Sequence, residues 1–434
     1  MPGLLDLPSE VILIIVEYLQ ANIQHVALPF YELGDAHRYA ISHNPPRRVR
    51  YLRSLLLVSR RLSDILTPIL YRNVIVRDYN RVNEKISLDQ LQWSLEKNPS
   101  LSEDIVSAFI PCGSSWSDRS IGNVIPFFWY ANMQTLTIHQ FDDWEPLEFE
   151  NDSHVGTSPV KYLTLIDCGA HEESLAAVLS WPAALKALHY DANQGEWSGH
   201  YGDEPAKEWT TAAFVRTLQS QKRSLEELTM TRPRLVHEGL GNGPRIDLSD
   251  FQALRILRIY HVFLCGTDDW PGVWRNLPPN LEELEVSYDD GDLTTFLYEG
   301  DAVAYDPFLL DVIRHKTTHL PHLHTVTIYA FERFDDSESE SQGIEDSAGH
   351  WKLPSSLASE AEAAGIKLDV WLKFDDSPTF EGVDVFESLI SQTGPSSRSK
   401  QGARSGQSVL PSNLSEESST REAKVYGSYT QLQF

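Results

Sequence analysis

A short apolar pattern recurs seven times along this chain of 434 residues, and no other feature constrains the fold as strongly. Each occurrence has apolar side chains at its first, fourth and sixth positions, as in Leu225-x-x-Leu228-x-Met230. The fourth positions are Leu136, Leu163, Leu188, Leu228, Leu257, Leu284 and Val326. Apolar residues at every second position are typical of a β-strand with one buried face. The pattern therefore predicts a series of short strands that share one hydrophobic core.

The spacing of these strands favours a repeated unit. Their central residues are separated by 27, 25, 40, 29, 27 and 42 positions. The shorter steps lie near the period of ~20–29 residues that is typical of leucine-rich repeats. Helical apolar stripes precede three of the strands, at residues 173–179, 211–218 and 307–313. A last strand is predicted at Leu368-x-Val370-x-Leu372, after a helix at residues 358–364.

We therefore expect an α/β fold in which residues 84–375 form an irregular solenoid of parallel strands with outer helices. A single unit cannot cover its own apolar face, whereas stacked units share a continuous core. An ordinary α/β domain with similar strand sequences is the alternative. Residues 391–434 are rich in Ser, Gly and charged side chains over most of their length, which predicts a disordered tail.

The amino-terminal stretch is also apolar, but with a helical period. Val11, Ile14 and Ile15 fall on one helical stripe, and Pro8 and Glu10 suit the beginning of a helix. Further apolar side chains cover the other sides of this predicted helix. Either a large domain or another protein must therefore bury it.

Two sequence motifs in residues 1–80 resemble the two halves of an F-box. The first is Leu7-Pro8-x-Glu10 with the Ile- and Leu-rich helix that follows, and the second is Val58-Ser59-Arg60-Arg61-Leu62. The resemblance implies a small helical module that binds the Skp-type adaptor and, through it, the cullin ligase core. Its implied adaptor-binding residues are Leu7, Pro8, Val11, Ile14, Ile15, Leu55, Leu56 and Leu62. Residues 20–50 are an insertion where the family usually has a short turn. The strand pattern, in turn, is similar to the leucine-rich repeats of F-box proteins.

Charge and cysteine content restrict the partners and the compartment. The net charge is −26, and residues 1–80 hold nine basic and seven acidic side chains, so the rest carries −28. Such a negative surface repels phosphate backbones and disfavours nucleic-acid binding. No apolar run approaches the ~18 residues of a membrane span. Three widely spaced cysteines favour a reducing compartment, the cytoplasm or the nucleus.

Aromatic residues in the predicted loops are the candidates for client binding. Trp197, Tyr201 and Trp209 lie in one Gly-rich acidic loop, where they either contact a client protein or cap the core. In a second loop, Trp274 is expected to pack on the core. The sequence contains no recognised catalytic motif, and we predict no catalytic residues, no metal site and no cofactor.

Two hypotheses about function follow. In the first, the chain is the substrate-recognition subunit of a cullin–RING ubiquitin ligase and not itself an enzyme. In the second, it is a repeat scaffold whose amino-terminal helices cap the solenoid. The two differ at Val11, Ile14 and Ile15, because a cap buries these side chains within the chain and a docking module leaves them exposed.

Overall fold

The structure is a computed structural model. It describes residues 7–21, 54–76, 84–112, 121–141, 154–192, 210–231, 244–266, 272–288, 307–332, 353–374, 381–382 and 385–386. Residues 22–50 of the predicted insertion, the loop residues 193–209 and the predicted tail lie outside the described residues, whereas residues 20 and 21 belong to the first helix.

Ten parallel strands form one sheet, and they follow each other across the sheet in chain order. They are β1 (Asn73–Ile75), β2 (Ser107–Pro111), β3 (Thr135–His139), β4 (Tyr162–Cys168), β5 (Ala187–Ala192), β6 (Glu227–Thr231), β7 (Ile256–Tyr260), β8 (Glu283–Ser287), β9 (Thr325–Glu332) and, after β10 (Leu353–Pro354), β11 (Lys367–Phe374). The antiparallel β12 (Glu381–Gly382) pairs with β11, and β10 pairs separately with β13 (Val385–Phe386). The prediction of an α/β fold with parallel strands is confirmed.

The repeated pattern lies in register from strand to strand. Leu136 pairs with Leu163, Leu163 with Leu188, and the same position continues through Leu228 and Leu257 to β11. All three apolar positions of all seven occurrences are buried in one hydrophobic cluster. We call this side of the sheet the core face. The alternation of side chains along each strand therefore explains the pattern that the sequence shows.

The sheet also includes strands that lack the leucines of the pattern. Val74 of β1 pairs with Ala108 of β2, and Ala108 pairs with Leu136. Both side chains are buried, but neither is large. The strand β1 lies within residues 1–80, which the F-box resemblance assigns to the helical module. The sheet therefore begins earlier in the chain than the leucine pattern indicates.

Helices cover the core face. The described helices are α1 (Ser9–Ala21), α2 (Arg60–Arg72), α3 (Glu84–Lys97), α4 (Leu101–Asp104), α5 (Glu172–Ser180), α6 (Thr211–Thr217), α7 (His261–Cys265), α8 (Pro307–His319) and α9 (Ser355–Ala363). Short 3₁₀ helices occur at Ile121–Asn123, Ile125–Trp129, Gln219–Gln221 and Val273–Asn276. Apolar residues of α3, α5, α6, α8 and α9 belong to the same cluster as the strands. The helices predicted before the strands are confirmed, and α8 extends six residues further than predicted.

Polar contacts join neighbouring units. Before each strand from β2 to β9, a backbone amide donates to a carbonyl at the start of the preceding strand, as Arg255 does to Glu226 and Glu282 to Arg255. Bidentate ion pairs connect adjacent helices, with Arg216 of α6 bound to Glu172 of α5 and Arg314 of α8 bound to Glu360 of α9. These surface ion pairs orient the adjacent helices but contribute little to stability, because an exposed ion pair is worth only ~0–1 kcal/mol.

Candidate functional site

The two amino-terminal helices have a small core of their own. Ile12 of α1 packs with Leu62 and Leu66 of α2, and each is at most 2% exposed. The Arg61 guanidinium donates a hydrogen bond from Nη2 to the carbonyl of Leu7 at 2.8 Å, which joins the beginning of α1 to α2. The Ser59 hydroxyl caps α2 by accepting the amide of Leu62 at 3.1 Å. The Ser in the Val-Ser-Arg-Arg-Leu motif therefore determines where α2 begins.

The same helix pair exposes a set of apolar side chains. On α1, Val11 is 37% exposed, Ile14 63% and Ile15 38%. Leu57 and Val58, in the turn before α2, are 89% and 62% exposed. We call the exposed residues Pro8, Val11, Ile14, Ile15, Leu57 and Val58 the helix-pair patch. Single exposed apolar residues are common, but an exposed apolar set of this size on one helix and on the turn before the helix that packs against it is typical of an interaction surface.

The structure separates the predicted adaptor-binding residues into three groups. Pro8, Val11, Ile14 and Ile15 belong to the helix-pair patch. Leu7, Leu55 and Leu56 are half-buried and pack against the small core. Leu62 is 1% exposed and forms that core, so it holds α1 and α2 together and is not part of their surface.

Two patch residues were not predicted. Leu57 and Val58 are exposed because the chain turns before α2, where their amides donate to the carbonyls of Ser54 and Leu55. Val58 belongs to the F-box-like motif, but a motif does not show which of its apolar residues face outward. The turn geometry that exposes both side chains has no distinct sequence signal.

The helix pair is joined to the sheet without a linker. Helix α2 ends at Arg72, and β1 begins at Asn73. Leu70 packs against both the small core and the large core, and the amide of Val106 donates to the carbonyl of Arg72 at 2.8 Å. The end of α2 is therefore part of the sheet's own packing.

The sheet has a second face, opposite the core face, and on β5 to β8 most of its side chains are polar. We call it the polar face. On β5 and β6, His189 Nε2 lies 3.0 Å from the Thr231 hydroxyl, which donates to the Asp191 carboxylate at 2.9 Å. All three side chains are buried. Because Asp191 and His189 belong to β5 and Thr231 to β6, this contact joins the two strands through their side chains.

A charged cluster follows on β6, β7 and β8. The guanidinium of Arg258 lies 3.3 Å from a carboxylate oxygen of Glu285 and 3.7 Å from one of Glu227. The three side chains are 15–26% exposed. Glu283 lies two positions before Glu285, on the same face of β8. Sequence analysis did not identify this cluster, because it depends on the register between units that are separated by loops of unequal length.

Other predicted features are placed as follows. Trp197, Tyr201 and Trp209 lie outside the described residues, so their proposed contact with a client stays a prediction.

Trp274 is buried in the large core and stacks on His315 with ring centroids 4.3 Å apart, which confirms the expectation that it packs on the core. Cys112, Cys168 and Cys265 are buried and not joined in disulfides, and burial raises the pKa of Cys112 well above its ordinary value.

Within the described ranges, no three His, Cys, Asp or Glu side chains are grouped so that they could hold a metal ion. In the same part of the chain, no helix has the length and apolar character needed to span a membrane. Comparison of the sequence with protein-family models and with curated proteins found no match.

Proposed function

We propose that this chain is the substrate-recognition subunit of a cullin–RING ubiquitin ligase, acting in the cytoplasm or the nucleus. Residues 1–80 act as an F-box-like module that binds the Skp-type adaptor, and the sheet, as a leucine-rich-repeat-like solenoid, binds a client protein. The chain itself carries out no bond chemistry.

The exposed helix-pair patch is the observation that carries this proposal. A cap for the solenoid would bury Val11, Ile14 and Ile15, yet all three are exposed, while Ile12 of the same helix is buried against α2. Burial of an aliphatic side chain is worth ~1.5–3 kcal/mol, so several patch residues together offset a substantial part of the cost of association. The patch therefore fits a docking module better than a terminal cap.

The direct connection between α2 and β1 would allow the chain to position a client relative to the adaptor. An adaptor bound at α1 is held in a fixed relation to the sheet, because α2 packs against both cores. A client on the sheet is then held near the conjugating enzyme. Such positioning raises the effective concentration of a client lysine, which is how a receptor without catalytic groups accelerates ubiquitin transfer.

Co-purification with a Skp-type adaptor tests the docking step. Ile14→Asp places a charge on the most exposed α1 residue of the patch, and burial of an unpaired charge opposes association. We expect this variant to lose the adaptor while its thermal unfolding is unchanged. Val155→Asp is the matched control, since Val155 is 53% exposed and lies in a turn between β3 and β4.

Retention of the adaptor by Ile14→Asp at the yield of the unsubstituted chain would contradict the proposal. The scaffold hypothesis would then explain the helix pair better. Loss of the adaptor from both variants would indicate a general change in folding or solubility, and would likewise remove the support for a specific patch.

A further inference from the structure

The residues that stand just before the strands form a row along one edge of the sheet, which we call the rim. Its described members include Gln134, Lys161, Lys186, Glu226, Arg255 and Glu282, and from Lys161 onward the amide of each donates to the carbonyl of the one before it. Lys186 binds Glu226 at 2.5 Å, and Arg255 binds Glu282 in a bidentate pair at 2.7 Å. Lys161, in contrast, is exposed, and its ammonium has no carboxylate partner in the part of the chain that the structure describes.

Polar side chains with unused hydrogen-bonding capacity lie next to Lys161. Gln134 precedes β3 and Thr135 begins it, while Tyr162 begins β4 and Thr164 follows two positions later. Thr135 and Tyr162 are register partners, so they lie side by side on the polar face, with their strands ~4.8 Å apart. Gln134 is exposed, Tyr162 is 41% exposed, and both threonines are half-buried. Within the described ranges, none of these side chains makes a hydrogen bond. We call Gln134, Thr135, Lys161, Tyr162 and Thr164 the donor surface.

The groups of the donor surface share one chemical property. The ammonium, the amide and the hydroxyls can all donate hydrogen bonds, Lys161 carries a positive charge, and none of the residues is an acid. Further along the polar face, donors are already bound within the chain, as the Thr231 hydroxyl is to Asp191. A ligand with a negatively charged acceptor can therefore use the donor surface without displacing a contact of the chain. Tyr162 adds an exposed aromatic ring, and tyrosine is enriched among the residues that dominate interface energetics.

We infer that the donor surface binds a carboxylate side chain of a client protein, with neighbouring client residues over the Tyr162 ring. This inference rests on the proposed function, because it names the kind of client segment that the receptor holds. A carboxylate fits better than a phosphate, since one carboxylate matches the single charge of Lys161. A phosphate carries up to two negative charges, which arginine clusters bind better than one lysine does.

The net charge of the chain opposes an acidic partner at long range only. Although that charge is −26, the Debye length is ~8 Å at physiological ionic strength, so distant carboxylates are largely screened. On the rim, the next carboxylate after Lys161 is Glu226, which Lys186 neutralises. The contacts at the donor surface therefore determine the affinity, while the overall charge slows the encounter.

Fluorescence anisotropy with short labelled peptides tests this inference on the full chain at physiological ionic strength. One peptide alternates glutamate with serine, and the other alternates glutamine with serine. We expect the glutamate peptide to bind about fivefold more tightly, which is the upper range for an exposed charge pair. Equal affinities, or tighter binding of the glutamine peptide, would overturn the inference. A phosphoserine peptide that binds more than about tenfold more tightly than the glutamate peptide would overturn the assignment to a carboxylate.

Two substitutions locate the contact. Lys161→Glu should weaken binding of the glutamate peptide by more than about tenfold, because it replaces an attraction by a repulsion. Tyr162→Phe keeps the ring and removes the hydroxyl, so it should weaken binding about threefold. Unchanged affinity in both variants would overturn the inference.

The matched control is Lys97→Glu. It changes the net charge by the same amount, but Lys97 is exposed on α3, whose apolar residues pack against the core face. We expect it to change the affinity by less than about twofold, because attraction through solvent is screened. Equal weakening by Lys97→Glu and Lys161→Glu would overturn the inference, since the peptide would then respond to net charge and not to the donor surface.

Two further measurements separate the client from other partners. Sedimentation should give the same mass for the unsubstituted chain and for Lys161→Glu. A dimer that Lys161→Glu splits would overturn the inference, because a second copy would then occupy the donor surface. Lys161→Glu should retain the Skp-type adaptor at normal yield, and Ile14→Asp should retain the glutamate peptide. Failure of the client site and failure of adaptor docking therefore give different results.

Discussion

The sheet and the amino-terminal helix pair bury apolar surface to very different extents. In the sheet, every apolar position of the seven repeated triples is buried in one cluster that extends from β1 to β11. Among the described side chains of the helix pair, three form the buried cluster, and the apolar side chains of the helix-pair patch are exposed. Along the sheet, neighbouring strands and helices cover one another's apolar side chains, whereas two helices alone cannot cover each other on all sides. The exposed residues of the helix-pair patch therefore lie outside the core of the sheet.

Substitution in the core of the sheet should give the largest effect. Leu257 is fully buried on the core face, so Leu257→Ala removes its packing and leaves a cavity. We expect the free energy of unfolding in urea to fall by ~2–5 kcal/mol. Ile14→Ala, on the exposed patch, should change it by less than ~0.5 kcal/mol. Similar losses in the two variants would show that the patch is buried in solution.

Substitution in the small core should have an intermediate and local effect. Ile12→Ala removes the one α1 side chain that the structure shows buried against α2. We expect a loss of about 2 kcal/mol in the stability of the helix pair. Hydrogen exchange should become faster in Ser9–Ala21 and Arg60–Arg72 but stay unchanged in β6 to β8. Faster exchange throughout the sheet would mean that the two cores unfold together, which would contradict their description as separate clusters.

The sequence predicted the sheet better than it predicted the sites. Leucine at alternate positions marks a buried strand without knowledge of its neighbours, so β3 to β9 and β11 could be located from the pattern. Val74 and Ala108 carry a weaker signal, because small apolar residues also occur outside strands. Arg258 and its glutamates could not be assigned, since their contact depends on which residues of successive units lie side by side. The exposure of Leu57 and Val58 depends in the same way on a turn.

The exposed ion pair between Arg255 and Glu282, which lie just before β7 and β8, should have the smallest effect on stability. The hydrogen bond from Arg255, followed by its charge, lowers the pKa of Glu282, while burial opposes this shift. A carboxylate with a lowered pKa stabilises the folded state above its unfolded pKa, near 4.5, and loses that contribution as the pH falls through the folded value. Glu282→Gln should therefore lower the melting temperature slightly at neutral pH, and this difference should disappear once the pH is well below the folded pKa. A pH-independent difference would contradict this assignment.

The native cysteines make a direct test of exposure possible. Cys112, Cys168 and Cys265 are buried, and the raised pKa of Cys112 keeps its thiol protonated. Because the thiolate is the reactive form, the folded chain should react very slowly with a maleimide reagent. Any fast reaction in a cysteine variant can then be attributed to the introduced thiol.

The rate of maleimide labelling in Ile14→Cys, compared with Ile12→Cys, tests the central claim most directly. The account predicts fast labelling of Ile14→Cys in the free chain, slow labelling of Ile12→Cys, and protection of Ile14→Cys when a Skp-type adaptor is added. Equally slow labelling of both variants in the free chain would contradict it, because the chain itself would then cover the surface that we assign to a partner.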